Sequence, residues 1–284
     1  MAGADGVGAM TDKSGGGINP FVTVVIVNFN GGEYPAAALK SLAAQTYRNF
    51  EVIFVDNASS DGSCKDLPAD GLPAYTFIQA DTNLGFAAGN NLAAKQANGD
   101  WLALLNPDAE ADPDWLSNFA SATQRYSDTA MFASAQYSAG DKQVIDGAGD
   151  AYLLFGMPWR GGFGRPVSEM PTEDSACFSP CGAGAFYRAD VFAELGGFDE
   201  RFFCYCEDVD IGFRFRLLGH SCVFLPNVRI DHWGGKLSEK VSEFAVYHGT
   251  RNRIWTYVKN MPLWLLILTL PMHVALTLYV LGHS

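Results

Sequence analysis

The chain has 284 residues, 48% of them hydrophobic, and a formal net charge of −12. That length and apolar content suit a globular protein with a sizeable core, as one large domain or two small ones. The acidic balance speaks against a nucleic-acid surface, and an anionic ligand would need a cation, local Arg or Lys, or helix amino ends to hold it. Six cysteines include no C-x-x-C pair, which disfavours structural zinc and favours reduced, buried thiols in a cytosolic compartment. Residues 1–17 are Gly-rich without an apolar core and read as a disordered tail, not a signal peptide.

In chain order, residues 21–27 are β-branched and read as a buried strand running into a turn at Asn28, Phe29, Asn30 and two glycines. Residues 34–47 carry Leu39, Leu42 and Ala43 at helical spacing. A second buried strand, 50–55, ends in the polar loop 56–63, and a third spans 75–78. Residues 83–91 lead into an Ala-rich helix through 97. Then Trp101-Leu-Ala-Leu-Leu-Asn-Pro-Asp108 follows. Its unbroken apolar run reads as a strand buried on both faces, and Pro107, which cannot donate to a ladder, stops it. Strand and helix alternate along this stretch, which predicts a doubly wound, mostly parallel sheet with helices on both faces. Every polar loop then falls on one edge, where such sheets bind ligands. Asp108 at that edge suits a divalent cation holding a diphosphate, although Asn-Pro-Asp alone is also a turn.

Residues 114–126 read as a helix and 130–137 as a strand. Residues 146–165, rich in Gly and aromatics without periodicity, read as a flexible acceptor-side loop. Residues 181–187 form a small-residue strand. In 207–219 the apolar residues alternate as in a strand, but Glu207, Asp208 and Asp210 at the front, Arg214 and Arg216 later, and Gly219 at the end describe a largely buried helix. Two short strands, 223–226 and 228–231, lead to His232. Trp233 and the turn 234–236 are placed to cover a ligand, and a helix over 241–259 carries Arg251 and Arg253. Those two arginines are left with two readings, pairing with diphosphate or facing solvent and membrane phosphates. Residues 261–281 are nearly all apolar and just long enough to span a bilayer, but Pro271 and His273 interrupt them. A span and an in-plane segment both remain open.

Taken together, residues 24–30, 55–63, Asn83-Leu-Gly-Phe-Ala-Ala-Gly-Asn90, Leu104-Leu-Asn-Pro-Asp108 and the Glu207-Asp208 pair resemble a family 2 glycosyltransferase of the rhamnosyltransferase-like branch. That resemblance implies the GT-A fold over 18–259, with 260–284 as a membrane-associating helical segment. It implies that Phe29, Asn30 and Asp56 meet the nucleobase end of a nucleotide-diphosphate sugar, and that Asn83, Gly85, Asn90 and Asn106 line its pocket. A carboxylate can accept a base N–H and a phenyl ring can stack, so the chemistry agrees. It implies a metal site of Asp108 and His232 holding Mn2+ or Mg2+, with Asn106 replacing the first acid of the family's Asp-x-Asp and so removing one charge. It makes Asp208 the catalytic base, with Glu207 beside it, and pairing two carboxylates pushes one pKa upward. The expected activity is inverting transfer of a sugar, from dTDP-rhamnose or a UDP-sugar, to a lipid-linked saccharide in cell-surface polysaccharide assembly. It would take place at the cytoplasmic membrane face, with no nucleic acid involved. Two alternatives are a non-catalytic, membrane-anchored sugar-nucleotide binding protein and a nucleotidyltransferase. The intact acid pair disfavours the first, and the lack of a basic Gly-rich phosphate loop after the first strand disfavours the second. A dehydrogenase is disfavoured because G-x-G-x-x-G spacing is absent.

Overall fold

The computed structural model describes residues 19–234 and 243–283. The expected tail at 1–17, and residues 235 and 236 of the expected turn, lie outside the described residues. The alternating first part comprises β1 (Val22–Asn28), α1 (Tyr34–Ala43), β2 (Phe50–Asp56), β3 (Tyr75–Gln79), α2 (Gly85–Ala94) and β4 (Trp101–Leu105). Next come β5 (Ala109–Ala111), α3 (Trp115–Arg125), β6 (Met131–Ser138) and β7 (Ile145–Ala148), then a separate hairpin of β8 (Asp150–Leu153) and β9 (Met157–Arg160). The described chain closes with β10 (Ser175–Cys177), β11 (Gly184–Arg188), α4 (Ala189–Glu194), α5 (Glu207–Leu217), β12 (Cys222–His232), α6 (Glu243–Asn260) and α7 (Leu263–His283).

The main sheet runs β10-β12-β6-β11-β4-β1-β2-β3, with β5 on β12 and β7 on β6. β1 is parallel to β2 and β4, β2 to β3, and β12 to β6. The mixed character comes chiefly from β11, antiparallel to both β4 and β6. Because β11 reverses direction between them, β4 and β6 point the same way. The carboxyl ends of β1, β2, β4, β6 and β12 therefore share one edge.

Alternation along the buried strands divides the core between the two sheet faces. Val22, Val24 and Ile26 pack with Leu39, Leu42, Trp115 and Phe119 from α1 and α3. Val25 and Val27 pack with Ala87, Val191, Ile211 and Phe215 from α2, α4 and α5. Each Val, Leu, Ile or Phe among them contributes about 1.5–3 kcal/mol by leaving water.

Several elements differ from the sequence expectation. α1 stops at Ala43 because Gln45 Nε2 donates to Asp112 O at 2.7 Å and Thr46 N to Pro113 O at 2.9 Å, which draws the chain toward the neighbouring loop. The two short strands before His232 are one strand, β12, whose register shifts between Leu225 and Arg229 around Pro226. The expected loop 146–165 instead holds β7 and the β8–β9 hairpin, which turns at Gly156 (φ +85°). The helix expected over 207–219 is present as α5, and Val209, Ile211, Phe213 and Phe215 are all buried.

Candidate functional site

The first two polar loops of the shared edge are stitched together. Asn30 N donates to Ser59 Oγ at 2.9 Å, Asn30 Oδ1 accepts from Ser60 N at 2.8 Å, and Gly32 N donates to Asp61 Oδ2 at 2.9 Å. Asp56 is 3% exposed and its Oδ1 accepts from Ser59 N at 3.0 Å. Phe29 stays 46% exposed beside it. Asn83 Oδ1 accepts from Gly85 N at 2.9 Å, while Asn57 caps the same turn through Leu84 N and Gly85 O. Asn90 is buried and its Nδ2 donates to Phe86 O within α2.

A second cluster forms where β12 ends beside the loop after β4. His232 is buried; its Nε2 lies 3.2 Å from Asp108 Oδ1 and 3.2 Å from Asn106 Nδ2, and its Nδ1 lies 2.8 Å from Asp146 Oδ2. Burial alone would lower the His232 pKa, but the hydrogen bonds and charges of Asp108 and Asp146 outweigh it and raise it to about 9. Among the described residues, no group of three or more His, Cys, Asp or Glu side chains could hold a metal. The donors that do converge are Asp108 and His232, with Asn106 beside them. A hard divalent cation that keeps waters and phosphate oxygens needs only one or two protein ligands. Metal-binding imidazoles usually have their second nitrogen held by a carboxylate, as Asp146 holds this one. The residues thus fit a cation shared with a diphosphate, not a closed protein cage.

The third cluster surrounds a cavity of about 300 Å3 lined by Asn106, Asp150, Arg160, Gly182, Glu207 and Asp208, among others. Asp208 Oδ2 accepts from Gly182 N at 2.9 Å and Oδ1 from Val209 N at 2.8 Å, leaving further lone pairs for a ligand. The three acids of α5 are sorted by environment. Glu207 is buried with Oε2 unpartnered; burial, then the Asp208 charge, pushes its pKa well up. The upward push of the acid pair therefore falls on Glu207. Asp208 is half-buried at the cavity. Asp210 is wholly buried, paired with Arg214 at 3.0 Å and Lys259 at 2.9 Å, and accepts from Asn260 Nδ2 at 2.7 Å. It ties α5 to α6.

Asn106 links the second and third clusters. Its side chain meets His232, its N donates to Ala183 O at 3.1 Å, and the adjacent Gly182 holds Asp208. Asn106 thus lines the cavity with Asp208 and touches His232, while Asp108 and His232 themselves lie outside the cavity lining. Sequence reasoning missed Asp146, Asp150 and Arg160, which reach the site through β7 and the β8–β9 hairpin. Arg160 Nη1 lies 3.3 Å from Asp146 Oδ2. Asp150 is 6% exposed with Oδ1 unpartnered, and burial, then Asp208, raises its pKa well above the carboxyl range against the pull of Arg160. Arg251 and Arg253 stay out of the cavity lining: Arg251 donates to Phe202 O at 3.0 Å and stacks on Trp255, and Arg253 donates to Thr277 Oγ1 at 3.2 Å. Trp233 sits on Tyr34, with ring centroids 5.6 Å apart. A larger cavity, about 620 Å3, opens at the opposite edge beside Trp101 and Arg188 and contains none of the predicted site residues.

The sequence profile of glycosyl transferase family 2 matches residues 23–196, more than half of the chain. The chain belongs to glycosyltransferase family 2. This family 2 glycosyltransferase is 31% identical over 227 residues to the O-antigen biosynthesis protein RfbC of Myxococcus xanthus, covering 75% of the chain but only 17% of that relative's length. It is 25% identical over 250 residues to the N-acetylglucosaminyl-diphospho-decaprenol L-rhamnosyltransferase of Mycobacterium tuberculosis, covering 79% of the chain and 80% of the relative. Among solved structures, a mannosyltransferase from Pyrobaculum calidifontis in complex with GDP-Man and Mn2+ superposes with TM-score 0.57 at 18% identity, over 85% of this chain and 64% of that one. TarS of S. aureus in complex with UDP-GlcNAc superposes with TM-score 0.58 at 19% identity, over 84% of this chain and 67% of that one. These likenesses establish a GT-A-type fold.

Proposed function

We propose that this glycosyltransferase transfers a sugar from dTDP-rhamnose or a UDP-sugar, with inversion, to a hydroxyl of a lipid-linked saccharide in cell-surface polysaccharide assembly. The observation that carries this is a chain of contacts: the Asp108–His232 pair is linked to Asp208 through Asn106 and the Gly182–Ala183 backbone. Phe29 and Asp56 take the nucleobase end, with Asn30 holding their loops together, and Asn83, Gly85 and Asn90 shape the pocket wall. Asp108 and His232 would hold Mn2+ or Mg2+, which supplies positive charge to the diphosphate. Asp208 takes the proton of the acceptor hydroxyl, whose oxygen forms the bond to the anomeric carbon. The bond from that carbon to the diphosphate oxygen breaks, and its electron pair leaves with the nucleotide. Attack from the face opposite the leaving group inverts the centre. Glu207, almost wholly buried beside Asp208, contributes to the wall of the same cavity. The acceptor lies on the side of the β8–β9 hairpin, where Asp150 and Arg160 face the cavity.

Work at the cytoplasmic membrane face is supported by α7, whose 20-residue apolar stretch has a mean hydropathy of 2.0. One stripe of α7 faces the protein: Thr269 meets the Tyr257 hydroxyl at 2.8 Å, His273 Nδ1 meets Phe155 O at 2.9 Å, and Thr277 accepts from Arg253. The remaining faces expose Trp264, Ile267, Leu268, Leu278 and Tyr279. That division favours a helix lying along the bilayer surface over a free span. The enzymatic reading is tested by calorimetry of UDP- and dTDP-sugars with and without Mn2+. Binding should require Mn2+ in the wild type and weaken at least about tenfold in Asp108→Ala. Equal binding by both proteins would remove Asp108 from the donor site.

A further inference from the structure

The approach to α5 is unusual backbone. Phe203, Tyr205 and Cys206 have φ of +65°, +72° and +62°. These are three side-chain-bearing residues in the left-handed region within four positions, directly before Glu207 and Asp208. Such conformations persist only where surrounding structure over-determines them, and they gather at functional sites. Glycine would adopt them freely, yet residues 203–206 contain none.

One side chain from α6 supplies the restraint. Asn252 is 0% exposed, and its Nδ2 lies 2.9 Å from Phe202 O, 2.9 Å from Cys204 O and 2.7 Å from Tyr205 O. Its Oδ1 accepts from Arg251 Nε at 2.8 Å. The amide orientation is forced, because the three carbonyls only accept and the guanidinium only donates. On its other side the turn is held by α2: Ala87 N donates to Phe203 O at 3.1 Å, and a Cβ on Gly85 would fall 2.6 Å from that same oxygen. Cys204, Tyr205 and Cys206 line the cavity with Asp208.

We infer that Asn252 is a positioning residue for the proposed reaction: it clamps the strained turn 203–206 so that the head of α5 presents Asp208 to the acceptor. This role rests on Asp208 being the base, but the clamp itself can be tested without activity. The amides that report it are Gly182, which donates to Asp208, and Asp210, which donates to Cys206 O at 2.9 Å. In Asn252→Ala both should exchange with deuterium at least about tenfold faster than in the wild type, while amides of β1 and β2 keep their protection. With UDP-N-acetylglucosamine and dTDP-rhamnose as donors in Mn2+, kcat should fall at least about thirtyfold while donor affinity by calorimetry stays within about twofold. Asn252→Ser keeps one O–H donor and should fall between the two proteins in both measurements. It carries the test alone if Asn252→Ala does not fold. Unchanged exchange at Gly182 and Asp210 would overturn the clamp. Faster exchange with kcat intact, or a parallel loss of donor affinity, would overturn the positioning role. A wild type inactive on every donor would count against the glycosyl-transfer reading, leaving the exchange result to judge the clamp.

Discussion

Glu207 and Asp208 are neighbours in sequence with opposite surroundings, and that contrast has a measurable consequence. The folded Glu207 carboxyl keeps its proton well above the ordinary range because it is buried beside Asp208. Once pH passes the ordinary glutamate value of about 4.3, the unfolded chain has lost this proton and the folded chain has not. The folded state then binds more protons, so rising pH removes stability, by up to about 1.4 kcal/mol per pH unit, until the folded carboxyl itself ionises. Glu207→Gln should abolish that slope, and its stability relative to the wild type should grow with pH in urea titrations between about pH 5 and pH 7. Parallel stability curves for the two proteins would contradict the buried, protonated assignment. At this scale the sequence is legible where a residue ends a local pattern. Asp56 and Asp108 close apolar runs, Asp208 opens a helix, and His232 ends a strand. Asp146 and Asp150 have no such marker, because they gain their roles only when β7 and β8 bring them to His232 and Asp208. Asn252 likewise acts on carbonyls about fifty residues away in sequence.

Elements carry the same lesson on a larger scale. The apolar alternation in α5 suits a strand locally, yet the acids at its start, the arginines later and burial on several sides prevail. The β8–β9 hairpin escaped notice because its four-residue strands are short and Pro158 interrupts the second; Gly156 at the turn was the available signal. Where α2 meets the turn before α5, Gly85 adopts φ +81° and its missing Cβ leaves room for the Phe203 carbonyl. Gly85→Ala combines backbone strain with a steric clash and should cost about 3 kcal/mol in urea unfolding. A loss below about 0.5 kcal/mol would mean that the two segments do not meet as described. Between α6 and α7, the Tyr257 hydroxyl donates to Leu266 O at 3.0 Å and meets Thr269 Oγ1 at 2.8 Å, and its ring stacks on His273 at 3.8 Å. Tyr257→Phe keeps the stack and loses the hydroxyl, so it should cost about 1–2 kcal/mol. A neutral result in the same unfolding assay would show that α7 does not dock on α6.

The whole molecule combines a net charge of −12 with one long apolar surface on α7. Lipid binding should therefore be driven by apolar burial and not by attraction to anionic headgroups. Sedimentation with vesicles should show binding to neutral phosphatidylcholine at least equal to that on anionic vesicles, insensitive to salt, and lost on deletion of residues 263–283. Preference for anionic lipid would point to a basic surface instead. The fold as a whole was readable because two successive strand–helix–strand units admit few topologies. The antiparallel β11 was not, since strand direction depends on partners far away in sequence. The central claim is that one connected site binds the donor through Asp108 and His232 and removes the acceptor proton through Asp208. The measurement that meets it most directly is sugar transfer by Asp208→Asn at saturating, calorimetrically verified donor. Intact donor binding with transfer reduced at least about a thousandfold is the predicted result; transfer within about tenfold of the wild type would contradict it.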